Sequence, residues 1–182
     1  MSGKRPQEAL SDGVVTLRPW TEADAPEIAS ALDGDPEISR WLDLIPQPYT
    51  IEDALAYVRG ETGNERESRF ALTEAASGRV VGSIGATWNE AGDVAEVGYW
   101  LRADARGRGA ATGAVRLLVR WVLAEGAARV QLRADIENTA SRRVAEKAGF
   151  HLEGVLRSAS WSPRLERRLD WAMYSLLPGE LP

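Results

Sequence analysis

Cysteine is missing from all 182 residues, and histidine occurs once, at His151. The first absence excludes disulfides, cysteine-ligated metal and any thioester or thiolate intermediate on the protein. The second excludes a multi-histidine metal site, so no metal is expected. No apolar run approaches the roughly 18–20 residues that cross a bilayer, and the opening MSGKRPQEALSDG has no hydrophobic signal core. A cytoplasmic protein with no membrane partner is the expectation. Neither G-x-x-x-x-G-K-[ST] nor G-x-G-x-x-G occurs, which removes support for nucleotide hydrolysis on a P-loop and for dinucleotide binding. The net charge of −5 argues against a general nucleic-acid binder.

What is present suits one globular domain: 44% hydrophobic and 27% charged residues, in a chain long enough to bury a core without staples. The expected domain spans 13–178 after a flexible N-terminus of residues 1–12, and the tail after Pro178 reads as disordered. Charge is unevenly placed. Residues 20–53 carry nine acids (Glu22, Asp24, Glu27, Asp33, Asp35, Glu37, Asp43, Glu52, Asp53) against Arg40 alone, whereas 102–147 carry ten bases against five acids. Two readings stay open: solvated faces of opposite sign, or an anionic lip for a cationic amine beside a cationic seat for a polyanion.

Periodicity predicts strands at Val14–Arg18, Ser68–Glu74, Arg79–Trp88, Asp93–Leu101, Ala128–Ala134, Phe150–Leu156 and Arg168–Leu176. Helices are predicted from Thr21 to about Leu32, from Thr50 to about Gly60, over Gly109–Glu125 and over Thr139–Lys147. A short helix plus loop suits 33–49, with apolar islands at Trp41-Leu42 and Leu44-Ile45, and a loop suits Ser158–Leu165. The expected fold class is α/β, a single mostly antiparallel mixed sheet of about seven strands with about four helices on both faces. Asp93–Ala134 would be its one parallel crossover.

Residues 94–112, VAEVGYWLRADARGRGAAT, run from an apolar strand through Arg106-Gly107-Arg108-Gly109-Ala110-Ala111 into a long apolar helix. Small residues opening a helix leave backbone N–H groups accessible at the positive end of its dipole, a seat for a phosphate. Gly107 and Gly109 let a ligand approach closely, and Arg106 and Arg108 add charged donors at the rim. An ordinary strand-to-helix turn with solvated arginines is the other reading. Gly113, inside the helix, costs about 1 kcal/mol relative to alanine and has no functional account from sequence.

The string GYWL…RGRGAAT resembles the acyl-CoA-binding signature Arg/Gln-x-x-Gly-x-Gly/Ala of the GNAT acetyltransferase superfamily. Asn138–Phe150 is similar to that family's N-x-x-S-x-x-V-x-x-K-x-G-F block, and VVTLRPWTEADAPEIASAL and RRLDWAMYSLL resemble the RimJ/RimL-type branch. The resemblance covers about Gly13 to Leu177. It implies a GNAT-like domain whose central strands splay, with acetyl-CoA or another acyl-CoA as co-substrate. It further implies an amine acceptor (a protein N-terminus, a polyamine or a small-molecule amine) and leaves room for a homodimer. The activity implied is N-acyl transfer by direct attack in a ternary complex; the alternative is an acyl-CoA-binding sensor that has lost catalysis.

The resemblance places the cofactor on the strand edge Trp100, Leu101 and Arg102, on Arg106, Gly107, Arg108, Gly109, Ala110, Ala111 and Thr112, and on Asn138 and Ser141. Acyl transfer needs a deprotonated amine, an aligned carbonyl and a donor for the departing thiolate. Ser141 is the candidate donor, since the position where many relatives have tyrosine is Ala145; it could equally cap its helix. Asn138 is an N-cap or an amide partner of the pantetheine arm. Glu96, sharing a strand face with Val94, Gly98 and Trp100, is a proton relay or a surface carboxylate. Glu153 in the LEG segment is a weaker base candidate; where some RimL-like relatives carry a glutamate just past the following strand, this chain has Ser160-Trp161. His151 reads as a strand residue rather than a base. Trp41, Trp88, Trp100 and Trp161 are candidates from which one or two substrate walls would come.

Overall fold

The computed structural model describes residues 8–42, 45–62 and 65–181. Residues 1–7 of the expected flexible N-terminus 1–12, the acidic Asp43 and Leu44 of the second apolar island lie outside them, whereas Leu10–Ser11 of that N-terminus are strand. The strands are β1 Leu10–Ser11, β2 Val15–Arg18, β3 Glu67–Glu74, β4 Val80–Trp88, β5 Val94–Leu101, β6 Arg129–Asp135, β7 His151–Ser162 and β8 Arg167–Leu176. They form one sheet in the order β1-β2-β3-β4-β5-β6-β8-β7. The helices are α1 Ala25–Asp33, α2 Pro36–Trp41, α3 Ile51–Arg59, α4 Ala110–Ala124 and α5 Thr139–Ala148. Among the described residues no helix is long and apolar enough to cross a membrane.

Every neighbouring pair is antiparallel except β5 with β6, the product of the expected crossover through α4. That parallel pairing lasts three positions, Val94 with Arg129, Ala95 with Val130 and Glu96 with Gln131. Beyond it β5 stays in register with β4 as far as Leu101, and β6 with β8 as far as Asp135. The sheet therefore forks at the carboxyl ends of its two central strands.

Alternation along β5 serves two cores at once. Ala95, Val97 and Leu101 join the larger one, where Val115, Leu118, Val119 and Val122 of α4 meet Leu17, Phe70, Leu72, Ile84, Leu132 and Tyr174 of the sheet. Trp100 points the other way, into the smaller core made by Ile28, Leu32, Ile38, Tyr49 and Ala54 of α1–α3 and their links. Helices thus cover both faces, and the fork lies between them.

Three details depart from the sequence reading. The sheet has eight strands rather than about seven, because Leu10 and Ser11 pair with Leu17 and Thr16 of β2. The turn between them is held by Asp12 Oδ1, which accepts the amides of Val14 at 2.9 Å and Val15 at 2.8 Å; Asp12-Gly13 is the hairpin signal that sequence reading passed over. The loop expected at Ser158–Leu165 is mostly strand. β7 continues to Ser162, absorbing its register breaks at bulges between Leu152 and Gly154 and between Leu156 and Ser160. The tail after Pro178 folds back, with Leu181 packed on the larger core. The short helix expected within 33–49 is α2, with Asp35 as its N-cap, and it makes five helices among the described residues.

Gly113 has a packing explanation: a Cβ there would stand 2.8 Å from Asp12 Oδ2 and 3.4 Å from Val15 Cγ2. Its bare backbone lets the β1–β2 turn lie against α4.

α5 is tied to the sheet by the fully buried Tyr174 of β8, whose phenol donates to Glu146 Oε1 at 3.1 Å and accepts from Arg142 Nε at 3.2 Å. Tyr174→Phe deletes that tie with little change of volume. Thermal unfolding should show a loss of about 1 kcal/mol, or roughly 2–4 °C, with the circular dichroism spectrum kept; an unchanged midpoint would show that the tie contributes nothing.

Candidate active site

β5 ends in a short 3₁₀ turn, Ala103–Ala105, and the chain then enters α4 through Arg106-Gly107-Arg108-Gly109. Gly107 and Gly109 have φ of +76° and +86°, a left-handed backbone that side chains with a Cβ adopt only at a cost. Gly109 is the N-cap of α4, and no side chain caps that helix. The first α4 amide with an acceptor is that of Gly113, bonded to Gly109 O at 3.0 Å. Among the described residues the amides of Gly107, Arg108, Gly109, Ala110, Ala111 and Thr112 have none. An ideal Cβ at Gly107 or Gly109 meets nothing within 4 Å. Open space over a run of bare donors at a helix N-terminus fits a diphosphate.

The two arginines of this loop do different things. Arg106 turns inward: its Nε and NH2 donate to Leu101 O at 3.1 and 2.9 Å, and NH2 also bonds Asp35 Oδ2. It is a strut between β5 and the start of α2 rather than the rim donor expected. Arg108 stays exposed. Arg102 sends its side chain to Asp104, which also binds Arg79 at 2.7 Å, while its amide prolongs the β4 pairing through Val81 O. The other edge of β5 has no strand partner after Glu96 among the described residues, although Leu101 O on it already serves Arg106.

Inside the fork is a cavity of about 160 Å³. Val97, Gly98 and Tyr99 of β5 line one side, and Leu132, Arg133 and Asp135 of β6 the other; Asn138 and Ser141 of α5, Arg40 and Trp41 of α2, and Trp171 of β8 close it. Asn138 is the N-cap of α5, its Oδ1 accepting the Ser141 amide at 3.0 Å. Ser141, in the third helical position, caps nothing with its hydroxyl. Its Oγ accepts instead from the Tyr99 phenol at 3.1 Å. Burial raises the pKa of that phenol, and the hydrogen bond to Ser141 offsets the rise only in part. Ala145, one turn further, is fully buried against the larger core.

Glu96 sits at the root of the fork with Gln131 Nε2 on Oε2 at 2.8 Å and Arg133 Nε and NH2 on Oε1 at 2.8 and 2.5 Å. Arg133 also lies over the Trp171 ring, 4.2 Å from its centroid. Glu153 is placed elsewhere: it is bound by Arg129 and by Ser175 Oγ at 2.7 Å, which hold its pKa down at about 2. A carboxyl so acidic is a poor base, so that candidate falls. His151 is an exposed strand residue.

Of the tryptophans proposed as walls, only Trp41 reaches the cavity. Trp88 and Trp100 are core, and Trp161 is exposed at 55% on β7. Trp171, which was not among those candidates, is the second wall; it reaches the fork because Asp135 of β6 pairs with it across the sheet. Six of the nine acids between 20 and 53 are tied to partners close by. Asp24 binds Arg18, Glu22 binds Arg59, Asp33 accepts the Tyr49 amide, Asp35 caps α2, Glu37 accepts from Trp41 Nε1 and Asp53 caps α3. The carboxylate in the cavity wall is Asp135, from the basic stretch, buried and bound by Arg167 at 3.1 Å.

Residues 15–151 match the acetyltransferase (GNAT) domain family. Among curated relatives, "Probable N-acetyltransferase YjcK" of Bacillus subtilis is 34% identical over 156 residues, 81% of this chain and 86% of its own. Among solved structures, a GNAT-family protein from Chromobacterium violaceum named as a probable acetyltransferase superposes with a TM-score of 0.83 at 25% identity, over 98% of this chain and 90% of that one. RimL, a ribosomal α-N-protein acetyltransferase in complex with coenzyme A, shares the fold with a TM-score of 0.80 at 22% identity, over 93% of this chain and 98% of its own.

Gly109→Val puts a branched side chain into the space over the bare amides at a left-handed position. The unliganded protein should unfold a few degrees lower, reflecting a strain of about 1–2 kcal/mol. The rise in unfolding temperature that coenzyme A gives the wild type should vanish; a rise of undiminished size in the variant would refute the cradle.

Proposed function

The chain belongs to the acetyltransferase (GNAT) family, and on that premise we propose that it moves an acetyl group from acetyl-CoA to a low-pKa primary amine by direct attack in a ternary complex. One observation carries this reading: six unpartnered amides, 107–112, open α4 beside the fork of the sheet. The backbone of Gly107–Thr112, with Arg108, holds the diphosphate. The open edge of β5 after Glu96, toward Leu101, and the side-chain amide of Asn138 hold the pantetheine arm, while Arg102, its amide bonded to Val81 O, stays with β4. Acetyl-CoA supplies the activated acyl bond; the chain supplies alignment and electrostatics. Ser141 Oγ–H faces the departing sulfur and stabilises its charge.

Glu96, at the root of the fork, takes the proton of the amine through water. Its three protein donors use three of the roughly four acceptor positions of a carboxylate, which leaves one for that water. A relay already bound to Arg133 suits amines that lose a proton readily. An α-amine titrates near about 7.7–8.0 and lysine near about 10.4, a difference of about 3 kcal/mol at neutral pH. The acceptor class is therefore an α-amine such as a peptide or protein N-terminus, or a small amine of similar acidity, met in the cytoplasm.

Thiol release from acetyl-CoA tests this directly, because a chain without cysteine adds no thiol of its own to the assay. Across a panel of amines near pH 7, α-amino peptides should outpace their lysine-only counterparts. Ser141→Ala should reduce kcat by about 100-fold while leaving stabilisation by coenzyme A intact. Full turnover by that variant would remove Ser141 from the reaction.

A further inference from the structure

We propose that Tyr99 is a positioning residue for Ser141: by donating its phenolic hydrogen to Ser141 Oγ, it leaves the serine hydrogen with the cavity as its outlet. The inference rests on the role given to Ser141 above. A serine hydroxyl has one hydrogen and two lone pairs. In an isolated helix its hydrogen turns freely and commonly bonds back to a carbonyl one turn earlier, out of reach of a ligand. Here the 3.1 Å bond from Tyr99 fills a lone pair of Oγ on the strand side. The Ser141 amide is engaged by Asn138 Oδ1 at 3.0 Å, which fixes the first turn of α5 under the hydroxyl. Among the described residues no acceptor receives the Ser141 hydrogen itself, and Ser141, Asn138 and Tyr99 all line the same cavity.

Tyr99 can reach Ser141 only because β6 has left β5 by this point. Strand pairing with β6 stops at Glu96, and alternation sends Tyr99 toward the face that carries α4 and α5. Gly98, beside it, adds no side chain to the gap. Burial favours the neutral phenol, so Tyr99 keeps its hydrogen throughout the working pH range and acts as a fixed donor. No covalent bond forms or breaks at either hydroxyl: Ser141 donates a hydrogen bond to the departing sulfur, and Tyr99 supports the partial charge that Ser141 Oγ then acquires.

Tyr99→Phe removes one oxygen and keeps the ring, so it tests the hydrogen bond with the packing preserved. kcat for thiol release would be measured for the wild type, Tyr99→Phe, Ser141→Ala and the double variant, with acetyl-CoA and the best amine of the panel, or water where no amine serves. In the wild-type background Tyr99→Phe should lower kcat by about five- to tenfold, the rate equivalent of one hydrogen bond. In the Ser141→Ala background it should change kcat by less than about twofold, since its target is gone. KM for acetyl-CoA and stabilisation by coenzyme A should stay at wild-type values. An equal loss in both backgrounds, or a loss confined to KM, would mean that Tyr99 only packs; full kcat in Tyr99→Phe with a slow Ser141→Ala would overturn the positioning role and spare Ser141. Full kcat in Ser141→Ala would overturn both.

Discussion

The parting of β5 and β6 after three shared positions is the constraint on which this molecule is built. A continuous sheet would satisfy every main-chain donor and acceptor of its central strands and leave nothing to offer a ligand. The fork instead leaves one edge of β5 open, makes room for Tyr99 and aims both strand ends at the N-termini of two helices. α4 opens with bare amides at the end of β5, and α5 opens with Asn138 and Ser141 after β6. The cavity and the open strand edge are two consequences of one missing stretch of ladder.

Polar groups hold the fork open and in register. At its root Glu96 gathers Gln131 and Arg133 from the opposite strand, so the last paired position is also a charged clamp. At its tip Arg106 binds both the last carbonyl of β5 and Asp35, the cap of α2. That double use of Asp35 joins the smaller helical layer to the glycine turn that opens α4. Arg133 flat on Trp171 and Arg40 on Trp41 form the outer walls. Six of the acids between 20 and 53 serve instead in helix caps, in ion pairs or as local acceptors for backbone, guanidinium and indole donors.

The glycine turn with its bare amides was legible because it is local. Gly107 and Gly109 sit directly before an apolar helix, and the bareness of the following amides follows from helix geometry and the lack of a capping side chain. Asn138 as N-cap was legible for the same reason. Tyr99, Trp171 and Arg133 were not, although Tyr99 stands inside the quoted GYWL string. Their roles depend on which strand lies beside which: Trp171 enters the cavity because it pairs with Asp135, 36 positions earlier in the chain. Glu153 misled for the converse reason. As a carboxylate near the second motif it looked available, but Arg129 and Ser175, brought beside it by β6 and β8, leave it strongly acidic.

Spacing along the chain by itself placed most strands and helices to within a few residues, with the single parallel crossover and the glycine turn that opens α4, since each reflects contacts between residues close in sequence; it missed β1 and ended β7 six residues early. Whether a polar side chain would cap a helix, clamp a strand or face the cavity was decided only by tertiary structure. A carboxylate or hydroxyl takes its role from the donor that packing brings within hydrogen-bond distance, and in this chain those donors come from elements far away in sequence: Arg106 for Asp35, Arg133 for Glu96, Tyr99 for Ser141.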